Sequence, residues 1–182
     1  MGWSRFAVVV GADTVETAVH FDRPLAGGMK GLRDTARAMS AVACLGSRDS
    51  VIVELANDLR SNRILTTLQK IFTFVVDNVH YTLDPAEVEL VKTPTRTLLD
   101  KTGDCDDFST LIAALVRACE IPVQFAVVRT PGHSFFNHVF PEASTDDGAT
   151  WIALDGTLDN PAVGKVAPKI LSRTTFKFRC PQ

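Results

Sequence analysis

The feature that most constrains the fold is a change of hydrophobic period at Pro122. Before it, apolar residues recur every three or four positions; after it, they run continuously or alternate. The first pattern predicts helices over 29–45, with Leu32, Ala36, Met39, Val42 and Ala43 on one face, over 48–60, over 63–79, with Ile64, Leu68, Ile71, Phe72 and Val75 on one face, and over 104–118. A short helix over 95–100 is entered by Pro94. The second pattern predicts strands over 123–128, 135–142 and 151–155, and an edge strand within 171–178. Residues 3–21 read as one or two further strands, broken by Arg23-Pro24 and Gly27-Gly28. Tyr81 to Leu83 reads as extended, Asp84-Pro85 as the start of a turn, and Lys101-Thr102-Gly103 as a loop. Helices in one block and strands in the next predict an α+β chain with an antiparallel sheet.

With 182 residues, 46% of them hydrophobic and 22% charged, the chain can bury a core without staples. Residues 63–182 read as the functional core and 1–62 as an N-terminal strand and helices of unassigned role, all within one compact unit. A net charge of -2 gives no general attraction to nucleic acid or to an anionic membrane. The apolar run Phe6–Val10 is too short for a signal-peptide core, so the expected compartment is the cytoplasm. The four cysteines, Cys44, Cys105, Cys119 and Cys180, contain no CxxC pair that would suggest zinc. In a reducing compartment disulfides are not expected. Cys44 and Cys119 then read as small buried side chains and Cys180 as incidental.

Cys105 is different. Asp104 is a good N-cap and Asp107 stands at the capping-box position, so Cys105 falls in the first turn of a helix. Phe108, Ile112 and Leu115 continue near its side, which aims the thiol inward. Free N–H groups and the helix dipole lower a cysteine's pKa, whereas the neighbouring aspartates raise it. With those aspartates solvated on the outer face, the helix and a histidine partner are expected to prevail.

That histidine is His138, which shares a strand face with Phe136 and Phe140, the face expected to meet the helix. Thr145-Asp146-Asp147-Gly148 is a turn signal between two strands. Centred between Asp146 and Asp147, the turn sets His138 directly across from Asp155. Centred on Asp147-Gly148, it sets His138 opposite Thr157, with Asp155 a diagonal neighbour still in reach. Cys105, His138 and Asp155 therefore read as nucleophile, base and orienting carboxylate. The Cys105 backbone N–H is one oxyanion donor, and Gln69, Tyr81 and Asn137 are candidates for the second. His133 reads as a solvated loop residue. His20 and His80 belong to no constellation.

These residues resemble the transglutaminase-like superfamily of papain-like cysteine enzymes. The carriers are Gly103-Asp104-Cys105, the apolar helix through Leu111 to Leu115, Ile121-Pro122, His138-Val139-Phe140, and Trp151 with Asp155-Gly156-Thr157. Phe140 stands where tryptophan is common and Gly156 where proline is common. The likeness covers about 63–160. Tyr81, Asp84-Pro85 and Thr93-Pro94 are also similar to small phage and prophage members. The resemblance implies a papain-like core, no cofactor, and a thioester acyl-enzyme formed on a protein or peptide substrate. The expectation is a cysteine peptidase or amidohydrolase. The alternatives are a protein-glutamine acyltransferase and a non-catalytic phage-derived structural or binding module. Some superfamily members bind calcium through acidic residues near the cysteine. Here that would involve Asp104, Asp106 and Asp107, for which helix capping is the simpler account.

Overall fold

Three of the helices begin where the sequence supplies a side-chain cap. Asp49 accepts the Val51 N–H at 2.9 Å ahead of one helix. Thr93 accepts that of Arg96 at 3.3 Å ahead of a second, whose first turn holds Pro94, where a missing N–H costs nothing. Asp104 accepts those of Asp106 and Asp107 at 3.0 and 3.3 Å ahead of a third. The computed structural model describes residues 18–20, 29–83, 90–178 and 180. Within them the helices are α1 (Met29–Gly46), α2 (Ser50–Leu59), α3 (Ile64–Asn78), α4 (Pro94–Asp100) and α5 (Cys105–Ala118). The strands are β1 (Ala18–His20), β2 (His80–Tyr81), β3 (Leu90–Lys92), β4 (Thr102–Gly103), β5 (Val123–Arg129), β6 (His138–Ser144), β7 (Trp151–Ala153) and β8 (Ser172–Lys177). Expectations for residues 3–17, for the breaks at Arg23-Pro24 and Gly27-Gly28, and for Asp84-Pro85 lie outside the described residues.

The α+β expectation holds: β7-β6-β5-β8 form an antiparallel four-stranded sheet, and α5 packs on it. Leu111 through Leu115 are fully buried, so α5 is apolar all round and serves as the axis for α1, α2, α3 and α4. The core therefore takes residues from both sides of position 62. Two segments differ from expectation. Lys101 takes a left-handed conformation (φ 55°), which ends α4 and turns residues 102–103 into β4, paired in parallel with β2. Strand β6 starts at His138 rather than Phe135, because the Asn137 side chain is tied to Thr130, accepting its backbone N–H at 2.9 Å. Phe135 is left 63% exposed.

The sheet faces also differ. Val123, Phe125, Val127, Val139 and Ala143 join the core around α5, while Ala126, Val128, Phe140 and Ala153 form a second cluster under Val166 and Ile170. Phe140, expected toward the helix, packs in that second cluster. The alternation of a strand puts Val139 on the helix side instead.

Cys44 in α1 and Cys180 form a disulfide with Cα atoms 5.5 Å apart, contrary to the expectation of free thiols. The cause is tertiary. Strand β8 runs beside β5, and Phe178 packs on Phe125 at 4.7 Å, which carries the tail back to α1. A bridge closing so long a loop contributes about 2–4 kcal/mol. Cys180→Ser, or a thiol reductant, is expected to lower the unfolding midpoint by roughly 5–15 °C. Equal calorimetric midpoints with and without reductant would count against a formed bridge.

Candidate active site

Cys105 is the first residue of α5, and its sulfur sits in a crowded pocket although the residue keeps some solvent access. The thiol donates to Asp106 Oδ1 at 3.6 Å. The aspartates do not lie out in water, as expected of them. Asp106 is buried against the sulfur, and Asp107 has no exposure at all. Instead of closing a capping box, Asp107 accepts the Lys92 backbone N–H at 2.8 Å and pairs with Lys92 Nζ at 3.4 Å. Gly103 makes room for this: a Cβ there would lie 2.5 Å from Asp107 Cβ, closer than any side chain tolerates.

His138 and Asp155 are brought together by the second of the two registers. Glu142 pairs with Ala153 and Ser144 with Trp151, so the turn centres on Asp147-Gly148, not between Asp146 and Asp147. Both turn residues have positive φ, 57° and 98°, which aspartate tolerates and glycine adopts freely. Ser144 Oγ reinforces the turn by accepting the Gly148 N–H at 2.6 Å. After Leu154 donates to the Pro141 carbonyl, the chain leaves the ladder. Asp155, 1% exposed, then sets Oδ2 at 2.8 Å from His138 Nε2. Its Oδ1 accepts the Thr157 hydroxyl at 2.9 Å and the Thr157 N–H at 3.3 Å. With Nε2 engaged, Nδ1 is the imidazole nitrogen left for proton exchange.

Because β7 pairs with β6 only as far as Pro141, the edge of β6 nearer His138 is open on that side. The head of α5 fills it. Ser109 Oγ donates to the Val139 carbonyl at 3.1 Å, and the Val139 N–H is close enough to the Cys105 sulfur to favour its thiolate. The sulfur thus lies against the residue next to His138.

Burial holds the Cys105 thiol well above its ordinary range, and the charges of Asp106 and then Asp104 push the same way. Among the resolved causes the Val139 N–H acts in the opposite direction, and the Asp106 hydrogen bond raises the value further. This reverses the expected lowering, first because the sulfur is buried and then because Asp106 folds onto it. Replacing Asp106 by asparagine removes a charge that disfavours the thiolate, so its pKa should fall. Alkylation of Cys105 by iodoacetamide at neutral pH is expected to rise several-fold, with the pH profile displaced downward. Peptide mapping reads this against Cys119 as an internal standard, and an upward displacement would contradict the assignment.

Of the three oxyanion candidates, Tyr81 is at the site. Pairing of β2 with β4 sets it opposite Gly103, and its ring lies 6.3 Å from that of Phe108. Burial, with the negative charge of Cys105, Asp104, Asp106 and Asp155, pushes its hydroxyl up to about 12, so it remains a donor. Asn137 is committed to Thr130, and Gln69 stands on the exposed side of α3. His133 is an exposed loop residue beside Phe135, and His80 is exposed. Ligand atoms of Asp104, Cys105 and Asp106 lie within 4.8 Å of one another. Two carboxylates and a soft thiol do not suit calcium, which takes six to eight oxygens, and Asp107 is committed to Lys92.

No curated protein sequence matches the chain. The fold is similar to a candidate cysteine protease from Cytophaga hutchinsonii, 22% identical, with a TM-score of 0.48 over 69% of this chain and 46% of that one. It is also similar to a candidate protease from Parabacteroides distasonis, 15% identical, with a TM-score of 0.47 over 67% and 30%. The chain thus spans less than half the length of either. No helix among the described residues is long and apolar enough to cross a membrane. The family model of the transglutaminase-like superfamily matches residues 53–156, starting in α2, earlier than the sequence motifs suggest, and ending just past Asp155. That match spans more than half of the chain and takes in Cys105, His138 and Asp155, and the protein belongs to the transglutaminase-like superfamily.

Proposed function

We propose that the protein is a cysteine-dependent hydrolase of peptide or amide bonds, with Cys105 as nucleophile, His138 as general base and acid, and Asp155 as its orienting carboxylate. The observation that carries this reading is the His138–Asp155 pair at 2.8 Å, on a strand whose next residue, Val139, accepts the Ser109 hydroxyl of the helix that Cys105 begins. Cys105 rests as a thiol, so its proton passes to His138 Nδ1 as the sulfur attacks the carbonyl carbon. Asp155 accepts the Nε2 proton in a hydrogen bond and stabilises the imidazolium. The Cys105 backbone N–H and the Tyr81 hydroxyl receive the developing oxyanion. His138 returns its proton to the departing amine, leaving a thioester. Water, losing a proton to His138, then cleaves the thioester to an acid and restores the thiol.

An amine in place of water would make the same site an acyltransferase. The solvent access at Cys105 and the half-exposed Tyr81 favour water. The test is mass spectrometry of protein quenched in acid after incubation with a blocked glutamine-peptide ester, with and without a labelled primary amine. An acyl adduct on the Cys105 peptide is expected, absent in Cys105→Ala, with the free acid as main product. A labelled amide as main product would assign acyl transfer. Failure to form an adduct or any Cys105-dependent product would overturn the enzymatic reading and favour a binding module.

A further inference from the structure

We propose that the groove between α3 and residues 161–163 is a peptide subsite of this active centre, selecting an apolar side chain followed by a basic one. The inference rests on the hydrolase reading for what the groove serves, though not for whether it binds peptide.

The groove is about 510 Å³ in volume, enough for a few side chains. Its floor is Phe72 and Val76, one helical turn apart, and its facing wall is Pro161, Ala162 and Val163. Gln69, Thr73 and Asp77 stand four residues apart along one rim, all exposed. That rim is about 12 Å long at 1.5 Å per residue. An extended peptide advances about 3.3 Å per residue, so three or four residues match it.

Continuity places the groove beside the reacting atoms. Gly156 follows Asp155, and a Cβ built on Gly156 would lie 3.4 Å from Val76 Cγ2 and 3.3 Å from Phe108 Cδ1. Val76 is therefore at once the end of the groove and a neighbour of the loop that carries Asp155. Phe108 lies one turn beyond Cys105 and packs against Tyr81. A peptide with its reactive carbonyl at Cys105 would enter the groove by way of Gly156.

The chemistry of the lining defines the ligand. The floor and wall are apolar and fit an aliphatic side chain. Gln69 and Thr73 offer both donors and acceptors to a peptide backbone. Asp77 is the one charged residue among those lining the groove, and no ion pair of Asp77 occurs among the described residues. Lys165, the nearest basic residue along the loop, donates to the Asn160 carbonyl at 2.5 Å. The rim therefore favours a lysine or arginine over an acidic residue.

The test uses two pools of end-blocked, fluorescein-labelled hexapeptides that differ at one position, Leu-Lys against Leu-Glu. Their binding to the Cys105→Ala protein is read by fluorescence polarisation, so turnover does not consume the probe. The Leu-Lys pool is expected to bind two- to fivefold more tightly, roughly the effect of one exposed ion pair. Asp77→Lys should reverse the order, and Ala162→Trp, which adds bulk at an exposed wall position, should abolish binding of both pools. Pools that do not differ, or an order unmoved by Asp77→Lys, overturn the proposal. So does a Tryptophan variant that changes the sedimentation coefficient instead of peptide binding, since the groove would then be a contact between copies. Asp77-dependent discrimination without an acyl adduct on Cys105 would sink the hydrolase reading and leave the groove standing. An adduct without discrimination would do the reverse.

Discussion

Asp155→Asn is expected to lower turnover by roughly 10³–10⁴-fold while leaving the fold and substrate binding intact, nearly as much as removing the nucleophile. The size follows from which oxygen is already in use. Thr157 donates to Asp155 Oδ1 from both its hydroxyl and its N–H. In the asparagine variant those donors hold the carbonyl oxygen at that position and turn the amide nitrogen toward His138 Nε2. Two donors cannot face each other, so the imidazole proton moves to Nδ1 and the base is lost. Cys105→Ala and His138→Ala should cost at least as much, and the double variant little more than either, since the three groups act as one unit. Thr157→Val in the Asp155→Asn background should recover part of the loss by weakening the hold on the carbonyl. Single-turnover kinetics with an activated ester measures all five proteins. A fully active Asp155→Asn enzyme would remove the tautomer argument and with it the role given to Asp155.

Asp107→Ala is expected to destabilise the protein by about 1–3 kcal/mol, the cost of leaving the Lys92 backbone N–H without its acceptor. The Lys92 side chain is 18% exposed and its Nζ would retain Asp100 at 3.8 Å and the Thr102 carbonyl at 3.0 Å, while the Lys92 backbone N–H would lose a partner outright. Asp107→Asn keeps an acceptor for that N–H and should cost less. Urea unfolding monitored by circular dichroism gives both values. Equal costs for alanine and asparagine would show that the Lys92 N–H is not the group at stake.

The helices were legible because their apolar stripes are local, and Asp104 caps α5 as its position suggests, whereas the caps Asp49 and Thr93 emerge only in the structure. The place of Cys105 at a helix start and the meeting of His138 with Asp155 were legible for a related reason, since a helix start and a hairpin are short-range structures. What the residues around them do was less so. Whether Asp107 faces water or Lys92 depends on β3, fifteen residues earlier in the chain. Which face of β6 meets α5 depends on how the helix fills an open strand edge, and no periodicity carries that information. The start of β6 was misplaced because Phe135 and Phe136 look like strand residues, whereas the Asn137–Thr130 contact keeps them in the loop. The register of the hairpin was open between two turn centres, and the left-handed pair Asp147-Gly148 decides it. The Cys44–Cys180 bridge joins opposite ends of the described chain, where spacing is silent.

The open edge of β6 has a consequence for association. Unpaired strand edges are the usual template for one chain to add to another. Here the Val139 carbonyl that would offer such a template is occupied by the Ser109 hydroxyl, and the Cys105 sulfur lies beside its N–H. The first turn of α5 therefore guards the sheet as well as aiming the thiol. A change that lifts that turn, whether by substitution at Gly103 or by bulky modification of the sulfur, uncovers a sheet edge in the same event. Displacement of the Cys105 thiol and a tendency to self-associate would then arrive together.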